Sequence, residues 1–346
     1  MKQLTAKRYL VTVFGAMLVW LAVAAVALLV GAEDIRSFDA DALWRVIDYR
    51  LERVLMAALV GAALATSGVA FQALLRNPLA EPYVLGVSGG ASLGVILGSI
   101  FLPGAMRAVT ILRAGQAVVT LDTVGLCGFL MALLTIAGVY GMAQRRGRLD
   151  PYRLILTGVV VNAFFAAAIM LTAALAGDRL RNEIIFWLMG GLGGLGSRWE
   201  EMGLAAPLIV AGVAVFAVQA KGFNLLAFGE DTAASLGLHV ERHRRTAFVV
   251  ASVLAGTSVS LAGPIGFVGL IVPHILRMIV GPDHRLLVPL SVFGGAVFLT
   301  VADRLVQMIP YEVAGGLPVG VVTALCGVPF FIILLRRGRR MGGGAT

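Results

Sequence analysis

The sequence predicts an all-α polytopic membrane protein with ten transmembrane helices. Three observations support this fold class: hydrophobic residues make up 59% of the 346 residues, charged residues only 14%, and the mean hydropathy is +0.92. Soluble domains average about 25% charged residues, so this chain carries too few charges to cover a soluble surface. Residues 1–346 are therefore expected to form a single transmembrane domain.

The spans are read from stretches that lack Asp, Glu, Lys and Arg, because a hydrocarbon core of about 30 Å needs about 20 apolar helical residues. With small extensions at some ends, these stretches predict spans at about residues 10–31, 54–75, 83–103, 119–142, 154–176, 203–220, 246–262, 265–280, 287–303 and 317–335, and Asp122, Arg277 and Asp303 lie at span ends. The seventh and eighth are separated because Gly263-Pro264-Ile265-Gly266 interrupts a longer uncharged stretch. Residues 184–195 are apolar but too short to cross, which predicts a short helix outside the membrane.

The first span follows Lys2, Lys7 and Arg8, a pattern that it shares with signal peptides. A signal peptide has an apolar region of about 7–15 residues, whereas residues 9–32 form an uncharged run of 24. We therefore expect a retained first helix.

Charge asymmetry between the connections predicts the orientation. An even number of spans puts both termini on one side, and the connections and termini of that side hold 18 basic and 6 acidic residues, a net charge of +12. The rest of the chain holds 10 basic and 13 acidic residues, a net charge of −3. The positively charged segments are residues 1–8, 76–82, 144–153, 221–245, 277–285 and 336–346. Under the positive-inside rule both termini lie in the cytoplasm, and the net charge of +9 reports orientation rather than nucleic-acid binding.

Histidine and cysteine predict no metal or disulfide site. His239 and His243 have the i, i+4 spacing that could suit a metal ion, but no third ligand accompanies them and they lie in a basic loop, which favours a solvated helix face. Cys127 and Cys326 fall inside predicted spans and are expected to be small core residues. We expect this chain to hold no metal and no cofactor.

The third span carries a glycine repeat and a formal match to a hydrolase motif. Glycines recur every four residues at positions 86, 90, 94 and 98, which lets a neighbouring helix approach closely. Residues 86–90 read GVSGG, a match to the GxSxG nucleophile elbow, but that motif requires a strand-turn-helix context. Packing is favoured over catalysis here, with Ser88 and Ser92 as candidates for a pathway face.

The predicted helix centres carry almost no ionisable residues. A carrier driven by an ion gradient generally needs a buried carboxylate or a similar relay, so an ion-coupled secondary transporter or a channel is the alternative rather than the leading hypothesis. The alternative of an ion-coupled transporter or channel stays open because broken helices can bind ions through backbone carbonyls. The chain lacks a GxxxxGK[ST] motif, so it is not expected to be an enzyme, and the energy for transport would come from another protein.

Two cytoplasmic connections have distinctive sequences. Residues 76–82 read RNPLAEP, a compact turn with two prolines. Residues 224–238, called the coupling segment below, form the longest connection and are predicted to contain two short helices hinged near Gly229. Helices this short are marginal alone, so the segment is expected to dock on a partner.

These segments resemble the FecCD-type permeases, the membrane subunits of ABC importers for iron-siderophores, haem and cobalamin. The resemblance extends from about residue 50 to residue 337 and is specific for the family, though not for the substrate. It rests on RNPLAEPYVLGVSGG at 76–90, the coupling segment, AGPIGFVGLIVPHILR at 262–277, GPDHR at 281–285, and GLPVGVVTALCGVPF at 316–330.

The resemblance implies a type II ABC importer permease fold with ten spans in each subunit. Its implied partners are a second permease subunit (a homodimer or a paralogue), two ATPase subunits that bind ATP and Mg²⁺, and a periplasmic or lipid-anchored binding protein that delivers the chelate. An iron-siderophore is the most common cargo, followed by haem and cobalamin. The implied location is the cytoplasmic (inner) membrane of a bacterium or an archaeon.

The resemblance also implies roles for particular residues. Those expected to contact the ATPase are Gly229, Glu230, Ala233, Leu236 and Gly237. Those expected to pair with acidic residues of the binding protein are Arg50, Arg53 and Arg304, for which membrane-interface snorkelling is the alternative. Besides the two serines, the candidate pathway residues are Thr157, Asn162 and Thr172 on the fifth span and Val319, Thr323 and Cys326 on the tenth. None of these is expected to ligate the metal.

Overall fold

The computed structural model describes residues 5–31, 39–102, 108–114, 117–145, 148–193, 198–309 and 317–342. Helices form all of its long elements. Their bounds are α1 Ala6–Leu29, α2 Ala40–Leu75, α3 Val87–Phe101, α4 Thr123–Ala143, α5 Pro151–Leu175, α6 Asp178–Leu188, α7 Trp199–Leu226, α8 Glu230–Ser235, α9 Val240–Ala262, α10 Val268–Val280, α11 His284–Gln307 and α12 Val319–Gly342. A 3-10 helix, Pro82–Leu85, precedes α3.

Two short antiparallel hairpins, which the sequence pattern does not predict, interrupt the helices. Strands β1 (Ala108–Ala114) and β2 (Ala117–Asp122) pair between α3 and α4. Strands β3 (Gln144–Arg145) and β4 (Arg148–Leu149) pair between α4 and α5. The fourth span therefore begins at residue 123 rather than 119, because β2 takes up its expected first turn.

The predicted spans all correspond to apolar helices. Seven helices (α1, α2, α4, α5, α7, α9 and α11) are long and apolar enough to cross a membrane by length and composition, and three shorter apolar helices lie at the predicted third, eighth and tenth spans. A count of ten crossings stays a prediction. The short helix expected at 184–195 instead covers 178–188, because Asp178 opens it after Gly177 and Gly190, at φ +71°, follows its end.

The long helix α2 lies at the centre of the bundle. It has 36 residues, a length of about 54 Å at 1.5 Å per residue, and packs against α7, α9, α10 and α11. Glycines allow the closest approaches: Gly61 faces the backbone of Gly295 on α11, and Gly68 faces Gly269 on α10. In a membrane, the hydrophobic effect does not drive helices together, because lipid is as apolar as their side chains. Small residues at such contacts let the helix backbones approach and pack by van der Waals contact instead.

The break between α9 and α10 lies beside the last third of α2 rather than beyond its end. Gly269, on the first turn of α10, lies against Leu64 and Gly68, and the latter precedes the end of α2 by seven residues, about 10 Å. Helix α10 has 13 residues, about 20 Å, so it is shorter than a hydrocarbon core. Irregular backbone at such a depth is tolerated where protein surrounds it or where it lines a cavity.

Candidate functional site

A cavity of about 760 Å³, called the α6–α12 cavity below, lies where four separate parts of the chain meet. It is almost entirely apolar, and Glu81 is the one carboxylate among its described lining residues. The lining comes from the connection after α2 (Glu81, Tyr83), the end of α6 (Leu188, Met189), the break before α10 (Pro264, Gly266, Phe267) and α12 (Gly320, Val321, Ala324, Leu325, Val328, Pro329).

Backbone contacts made at glycines hold three of these parts together. The amide of Gly191 donates to the carbonyl of Ala262 (2.8 Å), and the amide of Gly320 donates to the carbonyl of Gly190 (3.1 Å). Gly263 has φ +67°, and a Cβ there would come within 2.6 Å of the Trp187 carbonyl oxygen. Because only glycine combines this φ with such an approach, the junction depends on these positions.

Glu81 ties the fourth part to the break before α10. Its carboxylate accepts a hydrogen bond from the amide of Phe267, and Pro82 packs against Gly269. Burial raises the pKa of Glu81 to about 7, and the Phe267 amide, which lowers it, offsets only part of this effect. The residue lies inside a family motif, but it was not among the site residues predicted from sequence. A lone carboxylate between two prolines in an apolar context is the signal that could have identified it.

The structure places the predicted pathway residues of α3 and α5 away from this cavity. Ser88 and Ser92 are buried within the chain, where α3 packs on α4, so they do not face an open path. Asn162 lies against α3, with its side-chain oxygen close to Gly89. Thr157 and Thr172 are half-buried on α5, and the latter donates to the Ala168 carbonyl (2.8 Å). A role in a path formed with another subunit stays a prediction for the α5 residues.

Helix α12 lines the cavity, but through a face next to the predicted one. Val319 is buried in the core and Thr323 donates to the Gly320 carbonyl (3.0 Å). Thr323 and Cys326 line a different apolar groove, between α10, α11 and α12. The expectation that Cys326 is a core residue is wrong, since it is exposed in this chain, whereas Cys127 is half-buried. One sequence indicates that a helix is buried but not which way it is rotated.

The coupling segment contains one short helix rather than two. Helix α7 continues to Leu226, past its predicted end, and only α8 is separate. Leu236 is 61% exposed, and Gly229 and Gly237 adopt positive φ. Ala233 is fully buried against its own chain and therefore presents no surface to an ATPase. Docking by the remaining predicted residues stays a prediction.

Glu230 faces two arginines of its own chain. Its Oε1 lies 2.9 Å from Arg244 Nη2 and 3.5 Å from Arg76 Nη2. Arg244 is buried and its Nη1 donates to the Leu149 carbonyl (3.5 Å), while the Leu149 amide donates to Glu241 (3.0 Å). Three connections that the sequence places on one side of the membrane therefore meet at the first turns of α9.

Two of the predicted docking arginines bind the end of α1. Arg50 Nη1 donates to the carbonyl of Leu28 (3.0 Å) and Arg304 Nη1 donates to the carbonyl of Val30 (3.0 Å). Both side chains are buried. The last carbonyls of a helix lack intrahelical partners, so these guanidinium groups satisfy them.

Arg53 forms a two-pronged ion pair with a carboxylate to which the sequence pattern assigns no such role. Its Nη2 lies 2.5 Å from Asp303 Oδ1 and its Nε lies 3.2 Å from Oδ2, while Nη1 donates to the Tyr49 hydroxyl (2.8 Å). Asp303 is almost fully buried. The three arginines do lie near one another, but all have internal partners, and docking to a binding protein stays a prediction.

The two histidines of the predicted i, i+4 pair are not both solvated. His239 is exposed, but His243 is buried, with its ring 4.8 Å from that of Phe223. The expectation of a solvated face is therefore wrong for His243. The described residues contain no group of three His, Cys, Asp or Glu side chains placed to hold a metal ion.

Asp283 closes the connection before α11. It accepts hydrogen bonds from Asn224 Nδ2 (2.7 Å) and from the guanidinium of Arg285. The Arg285 bond is the main cause that lowers the pKa of Asp283 to about 2. The GPDHR motif of the sequence therefore fastens the start of the coupling segment to α11.

Comparison with known proteins agrees with this architecture. The family model of the FecCD transport family matches residues 9–337. The chain is 40% identical to a cobalamin import system permease protein of Halobacterium salinarum over 287 residues, 83% of this chain and 72% of that one. It is 36% identical to a hemin transport system permease protein of Yersinia pestis over 307 residues, 88% of this chain and 87% of that one.

A solved structure shares the fold over nearly the whole length. An inward-facing structure of a metal-chelate type ABC transporter aligns with a TM-score of 0.79 and 28% identity, and the match covers 95% of this chain and 99% of that one. The family model, the relatives and the shared fold all indicate the same class of membrane transport protein. This chain is a member of the FecCD transport family, an ABC importer permease for metal chelates.

Proposed function

We propose that this permease moves a metal chelate of the siderophore, haem or cobalamin class through a path to which the α6–α12 cavity contributes. The cavity is the observation that carries the proposal. Four parts of the chain, distant in sequence, converge on it, and its lining is apolar apart from Glu81 and Tyr83. A chelate already wraps its metal, so the path needs to fit the outside of an organic shell rather than provide ligands.

The proposed cargo passes without direct protein–metal bonds. The described residues hold no cluster that would compete with the chelate for its metal. The relatives named above transport cobalamin and hemin, which are both large ligands with apolar edges. An iron-siderophore, the most common cargo implied by the family resemblance, fits the same argument.

We expect a second permease subunit to complete the path. Much of α5 and part of α12 bear exposed apolar side chains, among them Phe164, Met170, Leu171 and Leu175 on α5 and Ile332 and Ile333 on α12. Both helices lie next to elements that form the cavity. Two ATPase subunits would dock on the coupling segment and a binding protein on the opposite side, in a complex of the cytoplasmic membrane with both permease termini in the cytoplasm.

Reconstitution tests the proposal directly. The permease, its ATPase and its binding protein are placed in proteoliposomes, and accumulation of cyanocobalamin, haem, a ferric hydroxamate and ferric citrate is measured with ATP supplied on the cytoplasmic side. Accumulation of one chelate that requires hydrolysable ATP supports the function. An ATPase variant that binds but does not hydrolyse ATP is the matched control.

The alternative is an ion-coupled carrier or channel. It predicts uptake by the permease alone when a proton or sodium gradient replaces ATP. Uptake that is independent of the ATPase would refute the proposed function in favour of this alternative.

A further inference from the structure

Arg76, the first residue of the connection between α2 and α3 (residues 76–86), contacts the coupling segment. Arg76 Nη2 lies 3.5 Å from Glu230 Oε1, and the same carboxylate oxygen lies 2.9 Å from Arg244 Nη2. The side chains of Arg76 and Glu230 are each 44% exposed, whereas that of Arg244 is only 6% exposed. Glu230 therefore bridges a buried cation and a half-exposed cation at the start of residues 76–86.

The buried side of this bridge is fixed. Arg244 also donates to the Leu149 carbonyl, and the Leu149 amide donates to Glu241, three residues before Arg244 on α9. A guanidinium with two partners in a buried setting is held more firmly than an exposed one. When α8 is displaced, we therefore expect Arg76 to shift with Glu230 while Arg244 stays in place.

The connection itself is short and stiff. The Asn77 side chain accepts a hydrogen bond from the amide of Leu79 (3.0 Å), and the Asn77 carbonyl accepts one from the amide of Ala80 (3.0 Å). Prolines at 78 and 82 fix two further φ angles. A displacement at residue 76 is thus passed along the connection rather than absorbed within it.

The far end of the connection reaches the α6–α12 cavity. Glu81 accepts a hydrogen bond from the amide of Phe267, and both residues line the cavity. The Phe267 ring packs against Gly327 of α12. The connection therefore joins the ion pairs of the coupling segment to two of the four parts of the chain that line the cavity.

Positive φ angles occur at the first residue of this connection and at the residue that Glu81 contacts. Arg76, at φ 48°, and Phe267, at φ 69°, are the two non-glycine residues with positive φ in the described part of the chain. Such conformations persist only where surrounding contacts maintain them, and they cluster at sites that move or bind. Here Arg76 forms the ion pair with Glu230, and Phe267 donates its backbone amide to the Glu81 carboxylate.

We propose that Glu230 is a positioning residue that couples displacement of α8 to the shape of the α6–α12 cavity through Arg76 and the 76–86 connection. The inference rests on the proposed function, since it needs an ATPase that docks on the coupling segment. It assigns Glu230 an internal role in place of a direct contact with the ATPase.

The test is a double-mutant cycle that measures the coupling ratio, defined as chelate accumulated per ATP hydrolysed. The complete transporter is reconstituted in proteoliposomes, and the probe is whichever of cyanocobalamin, haem, ferric hydroxamate and ferric citrate the wild type accumulates. The variants are Glu230→Gln, Arg76→Gln and the double variant. Asp231→Asn, alone and combined with Arg76→Gln, is the control because Asp231 is an exposed carboxylate on the same helix.

We expect Glu230→Gln and Arg76→Gln each to lower the coupling ratio about 5- to 10-fold, and the double variant to lower it no further, since interacting residues are non-additive. The amount of ATPase that co-purifies should not change. Arg76→Lys, which keeps the charge, should restore the ratio to within about twofold of wild type. The effect of Asp231→Asn, by contrast, should multiply with that of Arg76→Gln.

Two results of the coupling-ratio assay would overturn the inference alone: an unchanged coupling ratio in the Glu230→Gln variant of a transporting complex, or effects of Glu230→Gln and Arg76→Gln that multiply. Loss of ATPase co-purification in Glu230→Gln would likewise overturn it, in favour of direct docking. A wild-type complex that accumulates none of the four chelates with ATP would overturn the proposed function, and the inference with it.

Discussion

Replacement of Glu81 by glutamine tests whether the carboxylate at the α6–α12 cavity is as buried as the structure indicates. The Glu81→Gln variant keeps the size of the side chain and an oxygen that can accept from the Phe267 amide, but its side chain cannot titrate. In the wild type, burial raises the pKa of Glu81 from 4.5 to about 7. The proton is therefore held more tightly in the folded protein than in the unfolded chain.

The sign and size of the effect follow from linkage. A raised carboxylate pKa contributes stability that is fully present below pH 4.5 and is lost as the pH rises through about 7. Each pKa unit corresponds to about 1.4 kcal/mol, so the difference in unfolding free energy between wild type and Glu81→Gln should change by about 2–3 kcal/mol between pH 5 and pH 8. Stability of the wild type falls relative to the variant over this range.

Thermal unfolding in detergent at matched scan rates measures this difference, because comparison at one pH cancels the contributions of other titrating groups. Glu81→Ala serves as the control for the hydrogen bond: it leaves the Phe267 amide without its acceptor and should be less stable than Glu81→Gln at every pH. Parallel pH profiles for wild type and Glu81→Gln would refute the burial argument.

Three further predictions concern other parts of the fold. Gly263→Ala should lower the unfolding free energy by about 1–3 kcal/mol, because Gly263 has a positive φ that alanine adopts only with strain. Gly203→Ala, in a helix with open space around it, should raise the unfolding free energy by about 0.5–1 kcal/mol. Equal shifts in melting temperature for the two variants would contradict this prediction. Arg53→Met should cost about 3–5 kcal/mol because Asp303 stays buried without its partner, and adding Asp303→Leu should recover most of it; a double variant as unstable as the single one would count against the ion pair. Leu236→Glu, on an exposed side chain of the coupling segment, should reduce ATPase co-purification several-fold without changing the melting temperature of the permease, and undiminished co-purification would rule this surface out as the docking face.

Apolar composition and the spacing of charges were sufficient to predict the helices of this fold. Each predicted span corresponds to a helix, although β2 replaces the expected first turn of the fourth, and Gly263-Pro264 does end α9. The short hairpins were not predictable in this way, because hydrophobicity over a span-sized window does not distinguish β-branched residues in a strand from those in a membrane helix.

Partner residues were harder to predict than helices. The basic residues near the ends of spans pointed to interfaces, but Arg50 and Arg304 bind carbonyls of α1 that lie more than 20 residues away in sequence. No local pattern encodes such a pairing. Rotation of a helix about its axis is equally inaccessible when the whole helix is apolar, which explains why α12 contributes Val321 and Leu325 to the cavity instead of the residues expected.

The central position of α2 constrains the order in which the protein can be assembled during synthesis. Ser67 donates to the Ala251 carbonyl (2.7 Å), Gln72 donates to the Gly269 carbonyl (3.1 Å), and Gly61 meets Gly295. All three partners are made at least 184 residues later. Until α9 to α11 have been synthesised, these small and polar residues of α2 therefore lack their native partners and face lipid or the translocon. A chain truncated before α11 would leave Gly61 of α2 without its contact to Gly295. A quality-control protease that recognises unpaired small and polar residues on α2 would thereby degrade chains whose C-terminal helices are missing.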